Sequence, residues 1–174
     1  MVQGIVIPRD RTKPPWLQEL AGISDFQNIV GGLVEPVEVE GFGATIWMNE
    51  ATVHEHGQFN ARATALWWYF SPEHTMRHFI LGDVVIVGAI DKHGGGEAPA
   101  HLVHGLLHPH RYVVQMSPND DAWGDTYASF DTIFEAAERC MLLCFAAGNG
   151  PGFRIHVDAV SDAACGAEGA LHPR

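Results

Sequence analysis

The chain has 174 residues, 47% hydrophobic and 18% charged, with 10 basic against 21 acidic side chains and a formal net charge of −11. Such a length suits a single core, and this apolar share excludes a disordered chain. The acidic balance excludes a non-specific nucleic-acid binder, which needs a basic face, and no apolar run reaches the roughly 18 residues of a membrane helix.

In chain order, residues 4–8 (GIVIP) form a short β-rich run closed by proline, the expected first strand. Residues 16–30 place Trp16, Leu17, Leu20, Ile23, Phe26, Ile29 and Val30 mostly three or four apart. That spacing predicts helix, broken at Gly22, with Ser24 capping its second part. Gly31-Gly32 is a helix stop. Residues 33–39 read as a strand that Pro36 confines to a sheet edge. Residues 44–50 read as its hairpin partner across Gly41-Phe42-Gly43.

Residues 60–70 (NARATALWWYF) predict a helix capped by Asn60 and ended by Pro72. Residues 83–90 are β-branched almost throughout, as in a central strand buried on both faces. A glycine-rich loop at 91–99 leads to a short helix at 100–108, and residues 112–117 form another strand. Residues 118–124 read as a polar turn. The helix at 130–147 has the clearest stripe, with Phe130, Ile133, Phe134, Ala137, Met141, Cys144 and Phe145 on its buried face. Gly148 stops it, and residues 153–160 alternate as a half-exposed strand. The expected fold is α+β: one domain over residues 1–160, with a mixed or antiparallel sheet of five to six strands and three to four helices. Residues 161–174 are expected to be a flexible tail.

Three cysteines, Cys140, Cys144 and Cys165, cannot complete a disulfide framework, which suits a reducing compartment. Residues 1–8 meet charge too soon for a secretory segment, so the expected location is the cytoplasm.

Chemistry is sparse. Of 11 histidines, His101, His104 and His108 share one face of the short helix, with His110 just beyond. With His93 or the His54-Glu55-His56 loop they could hold a metal, although no HExxH or paired CxxC motif accompanies them. Histidines on the wet face of a short helix explain the pattern better than a bound metal does. Cys140 and Cys144 lie on the buried stripe, where a thiol stays protonated. No nucleophile elbow or phosphate loop occurs, and the 148–152 segment (GNGPG) follows a helix rather than a strand. Asp120, Asp121 and Asp125 sit in a turn that needs polar residues and lack the oxygen spacing of a calcium loop. No cofactor is called for.

Three segments carry a family likeness: residues 27–35 (QNIVGGLVE), Met48-Asn49-Glu50 followed after a loop by residues 60–65 (NARATA), and residues 80–88 (ILGDVVIVG). They resemble a domain-of-unknown-function family of small proteins from bacteriophages, plasmids and their hosts. The likeness covers roughly residues 1–90, and the helix and strand at 130–160 resemble the ends of longer actinobacterial members. The chain departs from the family pattern at Ala51-Thr52-Val53, at Gln58-Phe59 and at Ala61, which separates Asn60 from Arg62. The resemblance implies a setting, accessory genes of phage or mobile elements expressed in a bacterial cytoplasm, and no activity.

Two readings follow. One is a non-catalytic binder of a host protein. Trp67, Trp68, Tyr69 and Phe70 are consecutive, so a surface helix would leave one or two of them for solvent, a partner or a second copy of the chain. The other is a small-molecule binder, for a nucleotide signal or metabolite, with Asn49, Glu50, Asn60 and Arg62 as its site and Arg62 as a bidentate anion clamp. Arg62 could equally pair with Glu50. A metal-dependent enzyme using His101, His104 and His108 comes a distant third. Neither nucleic acid nor membrane is expected as a partner.

Overall fold

The computed structural model describes residues 1–51, 58–90, 95–118, 122–148 and 151–157, apart from the side chains of Glu40 and Tyr127. The element order is β1 (Val2–Ile7), β2 (Trp16–Leu20), α1 (Ile23–Val30), β3 (Val34–Val39), β4 (Ala44–Asn49), α2 (Ala61–Phe70), β5 (Val84–Gly88), α3 (Ala100–Leu107), β6 (Tyr112–Ser117), β7 (Gly124–Phe130), α4 (Ile133–Ala147) and β8 (Gly152–Val157). The fold is α+β. Its strands form two antiparallel sheets, ordered β2-β1-β5-β4-β3 and β7-β6-β8, where the sequence suggested one sheet of five to six strands.

The period-two alternation of the central strands divides the five-stranded sheet between two cores. Val6, Val85 and Val87 face α1, where Phe26 and Val30 pack on them with Leu20. Ile5, Ile7, Ile46, Val84 and Ile86 face the other way, into a larger cluster. That cluster includes Leu66 and Trp67 of α2, Phe134 and Ala137 of α4, and Tyr112, Val114 and Ile155 of the three-stranded sheet. One contiguous core therefore joins both sheets, with α2 inside it. Fully buried β5 lies at the centre of its sheet and β3, bearing Pro36, at the edge, as read from the sequence.

Residues 16–20 are strand, not helix. They pair with β1 in the register Val2↔Leu20 to Val6↔Trp16. An exposed edge strand has no inner face to impose alternation, so its apolar spacing imitated a helix. Gly22, not Ser24, is the N-cap of α1, and the Asp25 carboxylate accepts the N–H groups of Ala21 and Gly22. Gly31 ends α1 at φ 81°, where a residue with a Cβ is strained. Residues 124–130 form strand β7 although their mix of polar and small side chains carries no strand alternation. Helix α4 starts at Ile133 rather than Phe130, capped by Thr132, whose hydroxyl accepts the Glu135 N–H at 3.3 Å.

Candidate functional site

The residues expected to hold a small ligand are engaged by backbone. Asn60 is fully buried at the start of α2. Its side-chain oxygen accepts the Ala63 N–H at 3.1 Å, and its amide donates to the carbonyls of Ile7 (3.1 Å) and Gly82 (2.9 Å). The guanidinium of Arg62 donates to the carbonyls of Lys13 (3.0 Å), Pro8 (2.5 Å) and Asp10 (2.9 Å), and stands 5.6 Å from the centre of the Phe134 ring. Burial first, and then the nearby Arg11 charge, lower its pKa from the ordinary arginine value. Thr64 accepts the Ile80 N–H at 3.0 Å. The NARAT run is thus a fastening: three polar side chains on α2 tie down the end of β1, the hairpin loop after it and the segment leading to β5.

Asn49 is also buried. Its oxygen accepts the Ala51 N–H at 2.8 Å, and its amide reaches the Val30 carbonyl at the end of α1. Glu50 is exposed, and its N–H donates to the Leu33 carbonyl. The four positions serve two separate joints, Asn49 and Glu50 at the α1–β3 turn and Asn60 and Arg62 at the end of β1. Arg62 lies on carbonyls rather than on Glu50.

His101, His104 and His108 are all exposed on α3 and its end. The His104 ring lies against those of His108 and His110, tilted by 50° and 37°, with centroids 5.4 Å and 4.4 Å apart. Among the described residues no three His, Cys, Asp or Glu side chains converge as a metal site. His54, Glu55, His56, His93, Asp120, Asp121, Cys165 and the proposed tail lie outside the described residues. Cys140 and Cys144 are free thiols on α4. Cys144 accepts a hydrogen bond from Cys140: that bond and then burial raise the Cys140 pKa, while for Cys144 the bond outweighs burial and lowers the pKa to about 7, so the expectation of a protonated thiol holds for Cys140 and not for Cys144.

Of the aromatic run, Trp67 and Tyr69 are buried, as is Phe70. A helix covered on one side only would leave one or two of these aromatics exposed. Helix α2 is covered by a sheet on one side and by α4 and the second sheet on another, so Trp67 and Tyr69 are core, not contact surface. Trp68 is only partly buried, and its indole N–H donates to the His78 carbonyl at 2.7 Å.

Trp68 forms one wall of an open groove of about 430 Å³ between α2 and α4. Helix α2 contributes Ala61, Thr64, Ala65 and Trp68, and α4 contributes Glu138, Met141, Leu142 and Phe145. Phe59, Thr75 and Met76 add to the lining, and Arg11 joins Glu138 in an ion pair of 2.8 Å. Four of these apolar side chains are unusually exposed: Phe145 at 70%, Leu142 at 64%, Met76 at 54% and Phe59 at 51%. Phe145 therefore leaves the buried stripe to which its spacing assigned it. Met76 sits at φ 61°, a left-handed conformation that is strained for a side chain of its size. Two lining residues, Glu138 and Thr75, each carry a buried side-chain oxygen, Oε1 and Oγ1, with no hydrogen-bond partner among the described residues. A signal for the groove did exist in the sequence: from Cys140 to Ala147 α4 is apolar all round, more than one buried face uses.

No curated protein and no solved structure matches the chain. Residues 2–105 match a family model, a stretch carrying the five-stranded sheet, α1, α2 and most of α3, with α4 and the second sheet beyond it. That match spans more than half of the chain, which belongs to the family described as Domain of unknown function (DUF3846).

Proposed function

We propose that this protein is a non-catalytic binding protein, an accessory factor of the phage or mobile-element type acting in a bacterial cytoplasm, which engages a host protein through the groove between α2 and α4. The observation that carries this reading is the concentration of exposed large apolar side chains, Phe145, Leu142, Met76 and Phe59, around one open apolar groove. Contiguous exposed apolar surface of this kind marks association sites. The buried polar residues that a ligand or reaction site would have used, Asn49, Asn60 and Arg62, are instead bonded to main chain.

Native mass spectrometry of untagged protein purified from a bacterial host tests this. A complex with a host polypeptide is expected, and is lost in a Leu142→Ser/Phe145→Ser variant that melts at the parent temperature. Bare chain for both proteins sinks the reading. A small-molecule reading keeps one support, since the groove volume falls within the range of ligand pockets. A mass increment of a few hundred daltons would favour it.

A further inference from the structure

We propose that His74 and His78 chelate a divalent transition-metal ion of the imidazole-binding class, copper(II) foremost, whatever the groove binds. Their Nδ1 atoms stand 3.1 Å apart. With metal–nitrogen bonds of about 2.0–2.1 Å, that separation subtends roughly 100° at a shared ion. Such an angle is close to the right angle of a tetragonal copper or nickel site.

The chain between the two histidines is folded to bring their rings together. The N–H groups of Arg77 and His78 both donate to the His74 carbonyl, at 3.0 Å and 3.2 Å. Met76, at φ 61°, turns the segment back through a left-handed conformation, and strain of this kind gathers at ligand clamps. Helix α2 anchors both ends. The His74 ring lies 4.8 Å from the Trp67 ring, and the His78 carbonyl accepts the Trp68 indole N–H at 2.7 Å. The two donors are thus held at chelating distance in advance, which lowers the ordering cost of binding.

Both rings reach solvent: His78 is exposed and the His74 side chain is 32% exposed. Glu73 Oε1 stands 3.6 Å from His74 Nε2, the ring nitrogen turned away from the pair. Carboxylates in that position orient metal-bound histidines and fix their tautomer. A proton on His74 Nε2 leaves its Nδ1 with a free lone pair. The proton shared between the two Nδ1 atoms moves to His78 Nε2 when the ion takes its place. Among the described residues no third His, Cys, Asp or Glu joins the pair, so water completes the coordination. The site is a labile one, unlike a structural zinc centre with four protein ligands. A net charge of −11 favours the cation.

Titration of the untagged full-length protein with Cu²⁺ alone at neutral pH tests this, read by tryptophan quenching and by nitrogen hyperfine structure in electron paramagnetic resonance. Saturable quenching is expected, since Trp67 adjoins the pair. His78→Ala removes an exposed ring and keeps the carbonyl bonded by Trp68. It should weaken binding by roughly tenfold or more and melt at the parent temperature. His74→Ala should weaken binding as much, and the double variant no further, because a chelate fails when either arm is lost. His104→Ala should bind like the parent. Parent affinity in His78→Ala, losses that add between the two histidines, or a loss in His104→Ala instead overturns the chelate. If His74→Ala melts early, His78→Ala decides by itself.

Discussion

The hydroxyl of Tyr69 on α2 accepts the backbone N–H of Ile155 on β8 at 2.8 Å, across 86 residues of chain. Among the described residues strand β8 pairs with β6 alone, and this N–H finds no strand partner there on its other side. The phenol, buried and held above its ordinary pKa by desolvation, supplies the acceptor that fixes the three-stranded sheet to the central helix. Tyr69→Phe strands a buried donor and should cost about 1–3 kcal/mol. Urea unfolding followed by circular dichroism reads this directly; a midpoint equal to that of the parent would show that the N–H finds another acceptor.

Asn60→Ala should be among the most damaging single changes to a polar residue. It removes a helix cap, about 1 kcal/mol, and leaves the carbonyls of Ile7 and Gly82 without their donor. Arg62→Lys should not rescue what Arg62→Ala loses, because one ammonium cannot reproduce the fork that reaches Pro8, Asp10 and Lys13. Both Arg62 variants should be cut faster by trypsin within residues 9–13. Cleavage at the parent rate would mean that the loop is held by other contacts.

Gly32 and Asn49 form a matched pair. A Cβ on Gly32 would stand 2.5 Å from the Asn49 amide nitrogen. Gly32→Ala should destabilise the protein, while Gly22→Ala, whose Cβ meets nothing within 4 Å, should be nearly neutral. In a double-mutant cycle, Asn49→Ala should relieve part of the Gly32→Ala cost, giving a coupling of about 0.5–3 kcal/mol. Strict additivity would show that the clash is absorbed elsewhere.

On α4, Phe134→Ala should cost about 3–5 kcal/mol, because Phe134 is in the core. Phe145→Ser, eleven positions later on the same helix, should stay within about 0.5 kcal/mol of the parent, as surface changes do. Met76→Gly relieves a left-handed backbone and should melt no earlier than the parent. Thermal scans of the three variants, set beside partner capture, separate folding residues from binding residues; a large loss of stability in Phe145→Ser would place it in the core.

The thiol pair offers a pH test. In a Cys165→Ser background, alkylation of Cys144 should rise through about pH 7, where the hydrogen bond from Cys140 places its pKa. In Cys140→Ala the rise should move up toward the ordinary thiol range near 8.5. Mass spectrometry of trapped peptides over a pH series gives both curves, and coincident curves would show that Cys140 exerts no influence.

Local chemistry determined much of the fold from the sequence alone. The Asn60 cap, the Gly31 and Gly148 helix stops, the hairpin at 41–43, the edge strand with Pro36 and the doubly buried β5 each follow from a side chain acting on its own neighbourhood. The family likeness was legible for the same reason, since its motif residues lie close together in the chain. What only the tertiary structure decided depends on partners distant in sequence. Residues 16–20 are strand because β1 offers its edge, and Trp67 and Tyr69 are core because sheet and helices close around α2. Arg62 is a clamp because three carbonyls from the β1–β2 loop turn toward it. The groove belongs to this second class: each of its walls is one helix, but the groove itself exists only where long-range packing sets α2 beside α4.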